Sequence, residues 1–254
     1  MKIAVCIKQV PARDSQPRVN DDRTWVRDQD ASFEVNEADA YALEEGLRLR
    51  EKHGGEVVVC SAGPARVAQA LREALARGAD RAIHVEDDDL ARGDAFAVAE
   101  ALAWAMRDEQ FDLVLTGLQS DDQGFAQTGV VLAGTLGIGS ATIIMEVDVQ
   151  PEAVRVKREL EGGWFQFVTL PLPAVLTIQS GINQLRYATL KGIMAAKKKE
   201  IRKAVPPAGF ASRQRIVNLY VPEKKKRTEM IGGSAPEAAK ELVRRLRDEA
   251  RVIV

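Results

Sequence analysis

The sequence predicts an α/β protein: an open, mostly parallel, doubly wound sheet with an antiparallel extension, followed by a C-terminal arm plus helix. Three observations carry this. Short apolar runs alternate with helical patterns through the first 140 residues; strand patterns then follow one another without helices; and regular patterning lapses after residue 182 until one amphipathic helix near the end. The expected division is an α/β nucleotide-binding domain over residues 1–182 and a partner-binding arm with its helix over 183–254.

The elements follow in order. Lys2–Ile7, Glu56–Ser61, Arg81–Val85 and Phe111–Thr116 are short and rich in β-branched or apolar residues, as strands buried on both faces must be. Between them, Ala40, Leu43 and Leu47 mark one helix within Glu37–Lys52, and Val67, Leu71 and Leu75 a second. Ala95, Ala99, Leu102 and Met106 mark a third. Gly78 stands just past the second helix, where a left-handed C-cap suits glycine. Strand–helix alternation implies a parallel sheet covered on both faces. Beyond Gly139, Ala141–Val149, Val154–Glu159, Trp164–Thr169 and Ala174–Ile178 read as strands, with Glu161-Gly162-Gly163 as a hairpin turn. Residues 183–230 contain Lys197-Lys198-Lys199, Pro206-Pro207 and Lys224-Lys225-Lys226-Arg227 and predict an extended arm. Ser234 and Glu237 then form a capping-box pattern, ahead of a stripe of Ala239, Leu242, Val243, Leu246 and Ala250.

Charge is segregated. Residues 181–230 hold 13 Lys+Arg against 3 Asp+Glu, and residues 231–254 hold 5 against 4. Of the chain's 36 basic and 37 acidic residues, that leaves 18 and 30 for residues 1–180. An acidic body thus precedes a basic arm. The lysine clusters lack the interleaved aromatic residues of a stacking platform, Tyr187 alone lying near the first, so a protein-docking or solvated arm is expected, not a nucleic-acid binder. No stretch approaches the ~20 apolar residues of a membrane span, and a cytoplasmic protein is expected. Cys6 and Cys60 sit in apolar runs without metal-ligand spacing. They read as buried thiols, with a disulfide or redox pair as the alternative. No metal site is expected, and Asp87-Asp88-Asp89 reads as exposed surface.

In an open parallel sheet, ligands bind beyond the carboxyl ends of the strands, near the point where strand order reverses. Four segments occupy such positions: Val5–Val10, Asn36-Glu37-Ala38-Asp39, Ser61-Ala62-Gly63-Pro64, and the loop Gly117-Leu118-Gln119-Ser120-Asp121-Asp122-Gln123-Gly124-Phe125-Ala126-Gln127-Thr128-Gly129. Asn36 is placed to cap a helix. The fourth segment joins a buried strand to a small-residue helix, whose free N–H groups and positive dipole end make a phosphate cradle. Its acidic pair, Asp121 and Asp122, would oppose a phosphate unless turned away, and a solvated strand–helix turn is the plain alternative. Neither a P-loop nor a GxGxxG fingerprint is present.

Several segments, in order over residues 1–201, resemble the beta subunit of electron-transfer flavoproteins: VCIKQVP, NEADAYALEEGLRLREK, SAGP with ALREALARGADRAIHV, DLVLTGLQSDDQGFAQTG, VKRELEGGWFQFVTLPLPAVLT and LRYATLKGIMAAKKKEI. The resemblance implies an adenine nucleotide alpha-hydrolase-like fold and a heterodimer with an alpha subunit that holds most of the FAD. It implies AMP buried in the beta subunit, with a second FAD in its place in electron-bifurcating relatives. It further implies an electron carrier, not an enzyme, taking electrons from flavin dehydrogenases such as those of acyl-CoA and passing them to a quinone oxidoreductase, in the mitochondrial matrix where the source is eukaryotic. The nucleotide residues would be Cys6, Asn36, Glu37, Ala38, Asp39, Ala62 and Gly117 through Thr128. The dehydrogenase would be met by Leu190, with Lys191, Ile193, Met194, Lys197, Lys198 and Lys199 around it. Glu37 departs from the family's proline, and Gln123 and Gly124 stand where further acids are usual. An adenine-nucleotide sensor or enzyme on the same fold is the alternative of another class.

Overall fold

The computed structural model describes residues 1–16, 18–206, 209–222 and 228–253. The expected Lys224–Arg227 cluster and Pro207 lie outside these. The chain forms two compact units, Met1–Leu219 and Tyr220–Val254.

The larger unit is a nine-stranded sheet among the described residues. In chain order its parallel strands are β1 (Lys2–Cys6), β4 (Glu56–Gly63), β5 (Arg81–Glu86), β6 (Leu113–Gly117), β7 (Gly139–Val149), β10 (Ala174–Ile178) and β11 (Ile201–Ala204). The hairpin β8 (Ala153–Glu159) and β9 (Phe165–Pro171) completes it. The spatial order is β11-β5-β4-β1-β6-β10-β7-β8-β9, with every pairing parallel from β11 through β7 and antiparallel from β7 to β9. The antiparallel extension falls where the sequence places it. Its turn uses Gly162 at φ 69°, a left-handed conformation that suits glycine. A separate two-stranded ribbon, β2 (Gln9–Pro11) with β3 (Phe33–Val35), arises between β1 and the first helix.

Helices α1 (Glu37–His53), α2 (Ala68–Arg77), α3 (Ala95–Met106) and α4 (Thr128–Leu136) cover the sheet. Alternation along β1 explains the two cores. Ile3 and Val5 meet Leu43, Leu47, Leu71 and Leu75 on one face; Ala4 and Cys6 meet Val98, Leu102, Met106 and Leu132 on the other. Both faces are sealed from water, which is why the central strands are apolar without alternation. No helix among the described residues is long and apolar enough to cross a membrane.

The region expected to be an extended arm is only partly one. Residues 190–196 form the short helix α5 (Leu190–Ala196), and β11 adds itself in parallel to the sheet edge beside β5. Arg72 Nη1 donates to the carbonyls of Ala196 and Lys199 at 2.6 Å each, tying α5 to α2. The larger unit therefore runs on to Leu219, past the boundary drawn at residue 182. Four residues with two charges, Ile-Arg-Lys-Ala, carry too little apolar signal to announce a strand.

In the smaller unit, helix α6 (Ala235–Asp248) begins at the expected capping box, with Ser234 N donating to Glu237 Oε2 at 2.8 Å. The helix ends before Ala250, and its apolar residues Leu242 and Val243 are exposed.

Candidate functional site

The carboxyl ends of β1, β4 and β6 open into a cavity of about 500 Å³. Strand order reverses here: β4 lies to one side of β1 and β6 to the other, so the loops leaving β1 and β6 diverge and leave a crevice.

Cys6, Asn36, Asp39, Ala62, the run Gly117 to Gln123 and the run Phe125 to Thr128 all line this cavity. Glu37, Ala38 and Gly124 do not. Glu37 is ion-paired with Arg13. The Ala38 backbone lies behind Gly117, where an added Cβ would fall 2.7 Å from its carbonyl carbon. Gly124 closes a turn, its N–H donating to Ser120 O at 2.8 Å.

Asn36 does something other than the expected capping. Its side chain caps no backbone N–H at the start of α1. Instead Nδ2 donates to Gln119 O at 2.9 Å, and Oδ1 accepts from Asp121 N at 2.9 Å. A buried amide with both ends satisfied by one loop fixes that loop in register. Asp39, one turn along, accepts from Lys8 N at 2.7 Å and from Gly117 N at 2.9 Å. Burial pushes its carboxyl up to about 7, against the opposing pull of those N–H groups and of Asn36 and Lys8.

The acidic residues of the loop are turned to cationic partners. Lys8 Nζ donates to Asp122 Oδ1 at 2.7 Å, to Gln123 Oε1 at 3.0 Å and to Ser120 Oγ at 3.3 Å. Asp121 lies 3.7 Å from the Arg13 guanidinium. The loop then enters α4 through Ala126 at φ 53° and Gln127, and no side chain caps that helix. Gln127, Thr128 and Gly129 all face the cavity, so the first N–H groups of α4 are left for a ligand or water. Gly129 packs so tightly that a Cβ would lie 2.6 Å from both Thr116 Oγ1 and Thr177 Cγ2. Only glycine lets α4 begin this close to the sheet.

Cys6 and Cys60 are free, buried and opposite one another on β1 and β4. Burial raises both thiols, Cys60 to about 12, so neither is a thiolate at neutral pH. Asp87 accepts from Asp89 N at 2.9 Å in an exposed turn, as expected of surface.

Lys8 falls within the expected Val5–Val10 segment, but several lining residues escaped the sequence reading: Arg13, Trp25, Phe33, Arg66, Asp94, Ile216 and Leu219. Arg66 stacks on the Phe33 ring at 3.9 Å and donates to Gln9 Oε1 at 2.6 Å, fastening the β2–β3 ribbon to the start of α2. Asp94 had a signal available, an aspartate directly before an alanine-rich helix, and it accepts from Ala97 N at 2.8 Å as an N-cap.

Away from the cavity, Leu190 opens α5 with 84% of its surface exposed, and Ile193, Met194, Lys191, Lys197 and Lys198 are exposed around it. Lys199 departs from the expected docking set. Its Nζ donates to Leu75 O and Ala79 O at the end of α2, and burial lowers its pKa.

Residues 24–208 match the family model described as "Electron transfer flavoprotein domain". The chain is 39% identical to the electron transfer flavoprotein subunit beta of Methylophilus methylotrophus, over 94% of this chain and 96% of that protein. This chain belongs to the electron transfer flavoprotein beta-subunit family. Within that family it is 40% identical to the mitochondrial beta subunit of Oryza sativa subsp. japonica, over the whole of both chains. It is 36% identical to the beta subunit of Homo sapiens, over 99% of each. The mostly parallel nine-stranded sheet is thus the scaffold on which this beta-subunit chain carries its strand-tip cavity.

Proposed function

We propose that this chain is the beta subunit of a heterodimeric electron-transfer flavoprotein, that it encloses AMP in the strand-tip cavity, and that it helps hold the FAD of an alpha subunit. The observation that carries the reading is the cavity itself. Its volume lies within the ~300–1,000 Å³ of small-molecule sites, and it meets the uncapped start of α4 while the two carboxylates of the loop leading into that helix, Asp122 and Asp121, are engaged by Lys8 and Arg13. A phosphate suits those N–H groups, and the apolar wall of Ala62, Val98 and Leu102 suits a purine.

FAD supplies the redox chemistry when bound. The part played by this chain is to bind and to position. Asn36 and Asp39 lock the loops from β6 and β1, and Gly129 brings α4 against the sheet. An adenylate held in this way stabilises the native chain by linkage, since it binds the folded state alone. Leu190 and its apolar neighbours offer an anchor to flavin dehydrogenases, such as those of acyl-CoA. Lys197 and Lys198 steer the encounter electrostatically, and a quinone oxidoreductase is the acceptor.

Co-expression with the alpha subunit, denaturation and mass spectrometry of the released nucleotides tests this. One AMP and one FAD per heterodimer is the expected result. Two FAD would assign the cavity to a second flavin, and no adenine nucleotide beyond one FAD would overturn the adenylate reading. The chain expressed alone is expected to retain little FAD, and stoichiometric flavin on it would refute the division of labour.

A further inference from the structure

Resting on the adenylate reading, we propose that Phe210–Leu219 is a strap fastened by Asp94 over the outer side of the cavity, so that closed strap and bound adenylate hold one another in place. The segment has no helix or strand, and most of it is exposed. Yet Ile216 and Leu219 line the cavity. The strap is held at discrete points. Asp94 Oδ2 accepts from Arg213 N at 2.6 Å and from Gln214 N at 2.8 Å, while Asp94 N donates to Ser212 Oγ at 3.2 Å. The Arg213 guanidinium lies 3.4 Å from the Phe96 ring centroid. At the far end Leu219 N donates to Arg23 O at 2.6 Å, joining the strap to the loop that carries Trp25.

Asp94 belongs to the cavity wall and to α3 at once, since its Oδ1 caps that helix. The strap takes no part in the sheet; Phe210 at its start packs on the core beside Trp104 and serves as the hinge end, and the stretch beyond it can lift, as elements of this kind open at low free-energy cost. A ligand that completes the cavity beneath Ile216 and Leu219 closes it by mass action.

Trypsin provides the test, because Arg213 and Arg215 lie on the strap. In the nucleotide-depleted heterodimer, added AMP is expected to slow cleavage after these two residues about tenfold, with cleavage after Lys197 and Lys198 unchanged. Asp94→Asn keeps an oxygen for the helix cap but offers an amide to two donors. It should speed both that cleavage and AMP release about tenfold, the effect of a lost charge-assisted hydrogen bond. Ile216→Ser, which leaves Asp94 intact, should also hasten AMP release without altering the melting of the nucleotide-free protein. Identical cleavage with and without AMP, none in either case included, overturns the strap while AMP binding, measured by calorimetry, keeps the adenylate reading intact. Failure of AMP to bind by calorimetry overturns both.

Discussion

The Asp39 carboxylate bridges the two strands that flank the crevice: its Oδ1 accepts the Gly117 N–H at the end of β6, and its Oδ2 the Lys8 N–H just past β1. One side chain from the first turn of α1 thereby sets the spacing of the loops on both sides of the reversal. A Cβ on Gly117 would come 2.4 Å from Asp39 Oδ1, so the bridge and the glycine require one another.

Asp39 also gives the fold a pH signature. Burial raises its pKa from 3.8 to about 7, so the folded chain retains a proton that the unfolded chain has lost. Its contribution to stability is therefore greatest below about pH 4, declines as pH rises toward 7, and is level above that. Asp39→Asn cannot ionise. Thermal melts from pH 4 to 9 should show the wild type losing ground to this variant up to pH 7 and no further. A constant difference across the range would show that Asp39 does not titrate there.

Gly129→Ala places a methyl group against Thr116 and Thr177, both buried. Overpacking of this kind costs about 1–3 kcal/mol. Displacement of α4 should also weaken retention of the adenylate. Urea unfolding and nucleotide analysis of the purified heterodimer would check the pair of effects.

At the opposite ends of the strands, Glu109 gathers Arg81 at 2.6 Å, Lys2 at 2.8 Å and Arg202 at 3.0 Å. The hydrogen bond from Arg81 leads in holding its carboxyl down at about 2, although burial opposes this. A depressed carboxyl contributes stability above its unfolded pKa and loses it as pH falls, here between about 4.5 and 2. Glu109→Gln should cost about 1–3 kcal/mol at neutral pH and flatten the acid limb of the stability curve, read from urea midpoints at stepped pH.

Leu190→Ala removes a side chain that touches little of its own chain, so the melting temperature should be unchanged. Stopped-flow reduction of the heterodimer's flavin by a dehydrogenase should slow at least about tenfold if the side chain is an interface anchor. Loss of flavin in the variant would instead assign Leu190 a structural part.

The central elements were legible because local signals agree with the fold. Apolar runs two strands deep gave β1, β4, β5 and β6, the Glu161–Gly163 turn gave the hairpin, and Ser234 with Glu237 gave the start of α6. Positions at and just past the strand ends brought Cys6, Ala62, Gly117–Gln123 and Phe125–Thr128 to one crevice. What stayed hidden depends on contacts between distant residues. Asn36 sits where a cap belongs, yet its amide is drawn 83 positions away to Gln119. Ile201–Ala204 becomes a strand because β5 presents a free edge, not because its four residues favour one. Arg13, Arg66 and Ile216 acquire their places from partners that spacing along the chain does not reveal.

The attachment of α5 at its far end, through Arg72 and then β11, bears on how the protein meets others. Leu190 projects from a short helix whose Gly192 lies so close to Ala76 that a Cβ would fall 2.3 Å from its carbonyl oxygen. Leu190 is thus a preformed knob and not a limp tether, so a protein docking there as proposed would cost the chain little conformational freedom. Because docking then requires less ordering, a contact as small as one leucine and its neighbours can still contribute to affinity.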